Sequence, residues 1–410
     1  MNLLLVGCTG FLGKSLIYYL LKETKHKIIV TIRPKNGLSI KERMNNILNE
    51  LNLYNYENRI KIVNINYDDS RNIIISDDSR EYIQENTEVL INGLADVKFN
   101  RELKKAVMNN TVTALNWLNL FKKCKKKKQY IYISTAFVNF HLQKSGRIYE
   151  KIYETNMSNK TMIDILNDKI ISIKPYENSY LYSKQLTEIL LKEKKENIKL
   201  SIFRPSILTP AVKYPYSGWT MIQASTYMIF ACSIGIIPCW NISINFYKEN
   251  SVNFIPVDIA AKDCCLMINQ NNNFKIKHCC LTGNNKFSMK LYNMYEIFEY
   301  SYYFYIDNPI TINNVRFTTY PTFWMKDYNI FSKIYLFIHY LVNRFLERHS
   351  IIMFFKLLFV SYKSITEINK YIVTFASKKI IFDRKQENDE WFYIDHKQML
   401  AWKNYVKSIE

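Results

Sequence analysis

Leu3–Val6 is an unbroken apolar run that leads straight into Gly7-Cys8-Thr9-Gly10-Phe11-Leu12-Gly13. Lys14–Lys22 follows with apolar residues at helical spacing, and Lys27–Ile32 is a second apolar run ending at Arg33. Short continuous apolar runs suit strands buried on both faces. A strand, a glycine turn, a helix and another strand within about 30 residues confine the chain to a βαβ unit that meets its ligand at the turn. The chain holds only nine glycines in 410 residues, so three of them at G-x-x-G-x-x-G spacing carry weight.

Later apolar runs at Ile60–Ile65, Val89–Ile91, Tyr130–Ile133 and Leu200–Phe203 alternate with helix-like stretches. The alternation predicts an α/β fold, a Rossmann-type doubly wound parallel sheet. In such a turn one glycine bends the chain, one lets backbone approach a pyrophosphate, and one permits close helix–strand packing. The helix N-terminus then offers free N–H groups and partial positive charge. Taken alone, a glycine triplet is also an ordinary structural turn. The end of the second strand chooses the cofactor, because an acid there binds a ribose hydroxyl and an arginine holds a 2′-phosphate. The sequence reads Ile32-Arg33-Pro34-Lys35, with no acid before Glu42. NADPH is therefore the expected cofactor.

Asn178–Leu186 places Tyr180 and Lys184 one helical turn apart, on one side of a helix. A phenol is a poor proton shuttle at neutral pH unless a cation stabilises its phenolate. Tyr180 beside Lys184 then serves as proton donor to a carbonyl, and Lys184 also holds the nicotinamide ribose. Ser134 and Thr135 sit where the Tyr130–Ile133 run ends, the usual place for active groups in open α/β sheets. A hydroxyl there stabilises a developing oxyanion, and Thr135 is favoured over Ser134, which suits a cap.

Charge and cysteines restrict the rest. Lys plus Arg exceed Asp plus Glu by 20, a field that favours a polyanion such as a phosphate-bearing cofactor, an anionic membrane or nucleic acid. No nucleic-acid motif accompanies it, so a nucleic-acid partner is not expected. Phe121–Lys128 holds six lysines, read as solvated surface or as a dock for anionic groups. The eight cysteines have no metal-site spacing, so no metal is expected and the thiols read as reduced. The opening MNLLLVG does not have the form of a secretory leader. Residues 214–247 lack any charge, but prolines and glycines interrupt them, which suggests a cap over an apolar substrate. Residues 330–360 read as basic amphipathic helices suited to a membrane surface or to a helical core.

Together these stretches resemble the fatty acyl-CoA reductases, an extended branch of the short-chain dehydrogenase/reductases. The resemblance rests on GCTGFLGKSL, IRPKNGLSIKERM, ADVKFNRELKKAVMNN, YISTAFVN, NSYLYSKQLTE, FRPSILTP and NFIPVDIAAKD, and on TTYPTFW and FYIDHKQMLAWKNYV further on. It implies an NADP-binding domain with substrate-binding insertions over 1–290 and a helical domain over 291–410. It implies NADPH-dependent reduction of a long-chain acyl-CoA to a fatty alcohol through an aldehyde. An intracellular, membrane-associated enzyme on the cytosolic face of the endoplasmic reticulum or peroxisome is also implied. Carried over, Gly7, Thr9, Gly10, Phe11, Leu12 and Gly13 match the cofactor loop and Arg33 the 2′-phosphate contact. Thr135, Tyr180 and Lys184 match the catalytic set, and Pro205-Ser206-Ile207 the loop beside the nicotinamide. Asn92-Gly93-Leu94-Ala95 stands where the family shows His-x-Ala-Ala, which sets Leu94 and Ala95 near the cofactor ribose. Asp68 is the expected adenine contact, within NINYDD where the family has Gly-Asp. Two other readings keep the fold: an epimerase or small-carbonyl reductase, and a degenerate NADP(H)-binding protein that is not an enzyme.

Overall fold

The computed structural model describes residues 1–142, 145–216, 218–221, 239–240, 253–269, 271–280, 316–317 and 379–382. Seven parallel strands form its main sheet: β1 Asn2–Val6, β2 Lys27–Ile32, β3 Ile60–Asn64, β4 Val89–Asn92, β5 Gln129–Ile133, β6 Lys199–Pro205 and, last, Phe274–Cys279. From one edge the order is β3, β2, β1, β4, β5, β6 and then Phe274–Cys279. This is the doubly wound arrangement expected from the alternating apolar runs.

The side-chain period of two divides each strand between the two faces. Leu3, Leu5, Ile28, Val30, Ile131 and Ile133 belong to one core, shared with helix α1 Phe11–Lys22 and helix α2 Ile40–Glu50. Helix Val257–Cys265 packs on α1 in the same layer. The alternate residues of β5 turn the other way. The Tyr130 hydroxyl donates to the Ala114 carbonyl at 3.0 Å, and the Tyr132 ring lies under Lys184. That face is covered by α-helix Leu103–Val107, a π-turn at Met108–Val112, α-helix Thr113–Lys122 and the long helix Ser179–Lys194.

Local chemistry sets the ends of these helices. The Ser39 hydroxyl and the Glu42 carboxylate cap α2 reciprocally. The Asn178 side chain accepts from the Leu181 amide at 2.9 Å, which starts the long helix at Ser179 and sets Tyr180 in its first turn. Asp258 accepts from the amides of Val212, Lys213 and Tyr214, so the first turn of its helix ties down the segment after β6.

The chain divides into two compact units, one of residues 1–221, 253–287 and 380–410, the other of 222–252 and 288–379. The charge-free stretch at 222–238 and 241–247, the basic stretch at 330–360 and nearly all of the expected helical domain over 291–410 lie outside the described residues. Among the described residues, no helix is long and apolar enough to cross a membrane, and no acidic, His and Cys cluster suits a metal ion.

Candidate active site

The crevice opens at the C-terminal ends of β1 and β4, neighbours whose connections leave in opposite directions. Gly7 ends β1 with φ of +84°, and a Cβ there would lie 2.7 Å from the Gly93 carbonyl carbon. Gly13 is as constrained, since its Cβ would meet the Gly7 carbonyl oxygen at 2.2 Å. Gly10 is different: it is exposed, caps α1, and has only an ordinary contact at 3.4 Å. Two glycines therefore pack the turn, and the third leaves the helix N-terminus open to a ligand. This shape fits a dinucleotide pyrophosphate.

The other loop residues divide by side chain and backbone. Phe11 is buried against Trp219, ring centroids 5.2 Å apart, and Leu12 is buried as well. What these two present to the crevice is main chain. Thr9 stays partly exposed at the turn. Arg33 follows β2 with an exposed side chain, and its carbonyl accepts from the Arg43 guanidinium. Asp68 uses both carboxylate oxygens within its own hairpin, on the backbone and side-chain nitrogens of Asn72 at 2.7 and 2.8 Å. The Leu94 amide donates to Asn92 Oδ1 at 3.1 Å, which fixes Leu94 and Ala95 just beyond the Gly7–Gly93 contact.

The expected catalytic residues meet at the end of β5. Lys184 Nζ donates to the Ile133 carbonyl at 2.7 Å and stands 4.6 Å from the centre of the Tyr132 ring. It is 5.9 Å from the centre of the Tyr180 ring. Burial brings the Lys184 ammonium down to about 7, opposed by the charge of Glu188 one turn further along the helix. Burial likewise raises the Tyr180 phenol above its ordinary value, and a hydrogen bond with Thr135 opposes the rise. Desolvation sets the direction of the shift, and the expected lowering by the Lys184 ammonium does not enter it. The phenol holds its proton at neutral pH, the form an acid needs.

Ser134 and Ser206 end neighbouring strands. The Ser134 amide donates to Phe203, the Ser206 amide to Cys279, and both hydroxyls are buried without a partner. Pro205 closes β6, and the Ile207 amide donates to Asn253. Unpaired buried hydroxyls at a sheet's C-terminal edge fit a polar ligand group.

Several contributors lie within the stretches quoted above but had been given no role from the sequence. Glu188 and Arg204 form a two-pronged ion pair at 3.0 and 2.5 Å, with neither side chain more than 1% exposed. Arg204 also meets His278 Nε2 at 3.3 Å and the Lys151 carbonyl. Glu188 shares the face of Tyr180 and Lys184 at spacing four, a signal present in the sequence. Asn110, on the π-turn, bonds Asp96 on both its amide atoms and Ser183 Oγ at 2.9 Å. No periodicity announces that triangle. The lysine run proves half neutralised, with Lys122, Lys125 and Lys128 paired to Glu196, Glu85 and Glu88.

Among solved structures, the fold resembles a thiolation-reductase di-domain from an archaeal non-ribosomal peptide synthetase, with TM-score 0.60 and 18% identity over 100% of this chain and 75% of that one. It also resembles the terminal R domain of the myxalamid biosynthetic pathway, with TM-score 0.56 and 18% identity over 72% and 68%. At such identity the likeness concerns the fold, an extended reductase-type α/β sheet. Fatty acyl-CoA reductase 1 of Rattus norvegicus is 27% identical over 311 residues, 70% of this chain and 59% of that protein. Fatty acyl-CoA reductase 2 of Mus musculus is 32% identical over 277 residues, 63% and 52% of the two. The chain thus spans between half and three-fifths of the length of these relatives. The family described as male sterility protein matches residues 5–264. A match over more than half of its length makes this chain a member of that family, the family of the fatty acyl-CoA reductases.

Proposed function

We propose that this protein is an NADPH-dependent reductase of long-chain acyl-CoA thioesters, forming a fatty alcohol through an aldehyde. The observation that carries the reading is the convergence of Thr135, Tyr180 and Lys184 at the end of β5, beside the Gly7–Gly93 crevice. In this reading Gly7, Gly10, Gly13 and the first turn of α1 hold the pyrophosphate, and Arg33 holds the 2′-phosphate. Leu94, Ala95 and the Pro205–Ile207 segment flank the ribose and nicotinamide, and Asp68 lies toward the adenine. The bound NADPH supplies hydride to the carbonyl carbon.

The protein's own residues do the rest. Tyr180 and Thr135 hydrogen-bond the thioester carbonyl oxygen, and Tyr180 gives it a proton as negative charge develops there. Lys184 holds the ribose and stabilises the phenolate left behind, until a proton from solvent restores the phenol. Collapse of the resulting hemithioacetal breaks the C–S bond and releases coenzyme A as the thiol. The aldehyde then passes through the same cycle once more, again taking its proton from Tyr180. Attachment to a membrane surface, on the cytosolic face of the endoplasmic reticulum or peroxisome, is part of the same reading.

The test is to incubate the purified chain with NADPH and palmitoyl-CoA and to follow the products by gas chromatography. Hexadecanal or hexadecanol from the wild type and neither from Tyr180→Phe is the expected result. A Tyr180→Phe variant with most of the activity would remove the phenol from the mechanism. No product from the wild type with any acyl-CoA would remove the substrate class.

A further inference from the structure

Residues 93–102 run from the cofactor crevice to the start of the long helix without regular secondary structure, yet side chains pin them throughout. The Asp96 amide donates to Asn110 Oδ1 at 2.7 Å. The Asp96 carboxylate accepts from Arg101 Nε at 2.7 Å, Asn109 Nδ2 at 2.9 Å and the Lys98 amide at 3.2 Å. At its far end, Ser179 Oγ donates to the Arg101 carbonyl at 2.5 Å. Asn110 also bonds Ser183, whose hydroxyl donates to the Tyr180 carbonyl at 2.8 Å. The segment is therefore a strap fastened to the residues on both sides of Tyr180. It carries Phe99 onto the phenol, with ring centroids 5.7 Å apart and planes at 51°. Val97, two residues earlier, is 64% exposed, so the strap also presents an apolar side chain to solvent.

We propose that Phe99 is a positioning and specificity residue, which holds and shields the Tyr180 ring and gives the first carbons of the acyl chain an apolar wall. The part concerning the acyl chain rests on the reading of the substrate given above. An aromatic pair at this separation gains from ring–ring contact as well as from area. The ring also covers one side of a group whose proton is useful only while water is kept away. A polar strap would position the loop equally well through Asp96. It would not cover the phenol or favour a hydrocarbon.

Two measurements test this, one of them independent of turnover. N-acetylimidazole labelling of Tyr180, read by peptide mass spectrometry, is expected to rise at least fivefold in Phe99→Ala and less than twofold in Phe99→Leu. In kinetics, Phe99→Ala is expected to lower kcat with palmitoyl-CoA at least tenfold and to shrink the preference for palmitoyl-CoA over acetyl-CoA, which lacks the carbons that Phe99 would contact. Phe99→Leu is expected to recover most of both. Circular dichroism melting of each variant checks that it is folded, and Phe99→Leu decides if Phe99→Ala is not. The proposal is overturned if the folded Phe99→Ala protein matches the wild type in labelling, or in kcat and chain preference. It is overturned too if Phe99→Leu is as impaired as Phe99→Ala. If the wild type reduces no acyl-CoA, the substrate reading fails, and the labelling still decides the role of Phe99 at the phenol.

Discussion

Glu188 and Arg204 face each other through two hydrogen bonds, at 3.0 and 2.5 Å, with no more than 1% of either side chain in contact with solvent. The pair joins the long helix to β6 and stands one helical turn beyond Lys184. Its carboxylate is the charge that opposes the fall of the Lys184 ammonium. Breaking such a pair strands an ion in low dielectric, which costs about 3–5 kcal/mol. Glu188→Ala is expected to lower stability by that amount in urea unfolding. The apolar double replacement Glu188→Leu with Arg204→Met is expected to be much closer to the wild type.

Lys184 gives the protein a pH dependence of known sign. Its folded value, about 7, lies below the roughly 10.4 of an exposed lysine. Between those values the unfolded chain binds more protons, so this group makes the cofactor-free protein more stable as pH rises across the window. Urea midpoints measured from pH 7 to 10 are expected to show that rise, and Lys184→Met is expected to flatten it. In catalysis the ammonium is the useful form. The free-enzyme profile, kcat/KM against pH, is therefore expected to descend as pH rises through about 7.

Gly13→Ala drives a Cβ to within 2.2 Å of the Gly7 carbonyl oxygen, which backbone has to move to relieve. Overpacking of this kind costs about 1–3 kcal/mol, so a clear drop in melting temperature is expected. Gly10→Ala meets only a contact at 3.4 Å and is expected to melt like the wild type. Its methyl group instead faces the exposed mouth of the turn, so weaker NADPH binding without loss of stability is the expected signature. Fluorescence titration alongside thermal melting separates the two variants.

Arg33 stands exposed at the end of β2, with no acid beside it before Glu42. Arg33→Ala is expected to raise the Kd for NADPH at least tenfold, about 1.4 kcal/mol, and to leave NADH binding within a factor of two. Equal losses for both cofactors would show that the guanidinium does not read the phosphate.

Six strands of the sheet were legible because each contains an apolar run, whereas Phe274–Cys279, interrupted by Lys275 and Lys277, was not. The glycine loop was legible because spacing alone separates a turn from a helix, and Tyr180 and Lys184 because four residues make one turn. Other features depend on distance in space rather than in sequence. Phe11 belongs to the loop motif, yet its ring is committed to Trp219, which lies more than 200 residues away. Asp96 and Phe99 come from one loop, Asn110 from the π-turn and Ser183 from the long helix, more than 70 residues further on. Asp68 looked available in the sequence, but its oxygens close their own hairpin on Asn72. The direction of the shift at Tyr180 was hidden for a related reason, since the desolvation of its phenol is a property of the packed fold.

The close approach of Gly7 to Gly93 has a practical outcome for anyone who would redesign this protein. The two loops touch main chain to main chain, with no side chain between them to absorb a change. Grafting a foreign nucleotide loop onto β1 would therefore demand that its natural companion be grafted after β4, because each sets the shape the other can take. The turn after β1 and the segment after β4 thus form a matched pair, and exchanging one alone would set backbone against backbone.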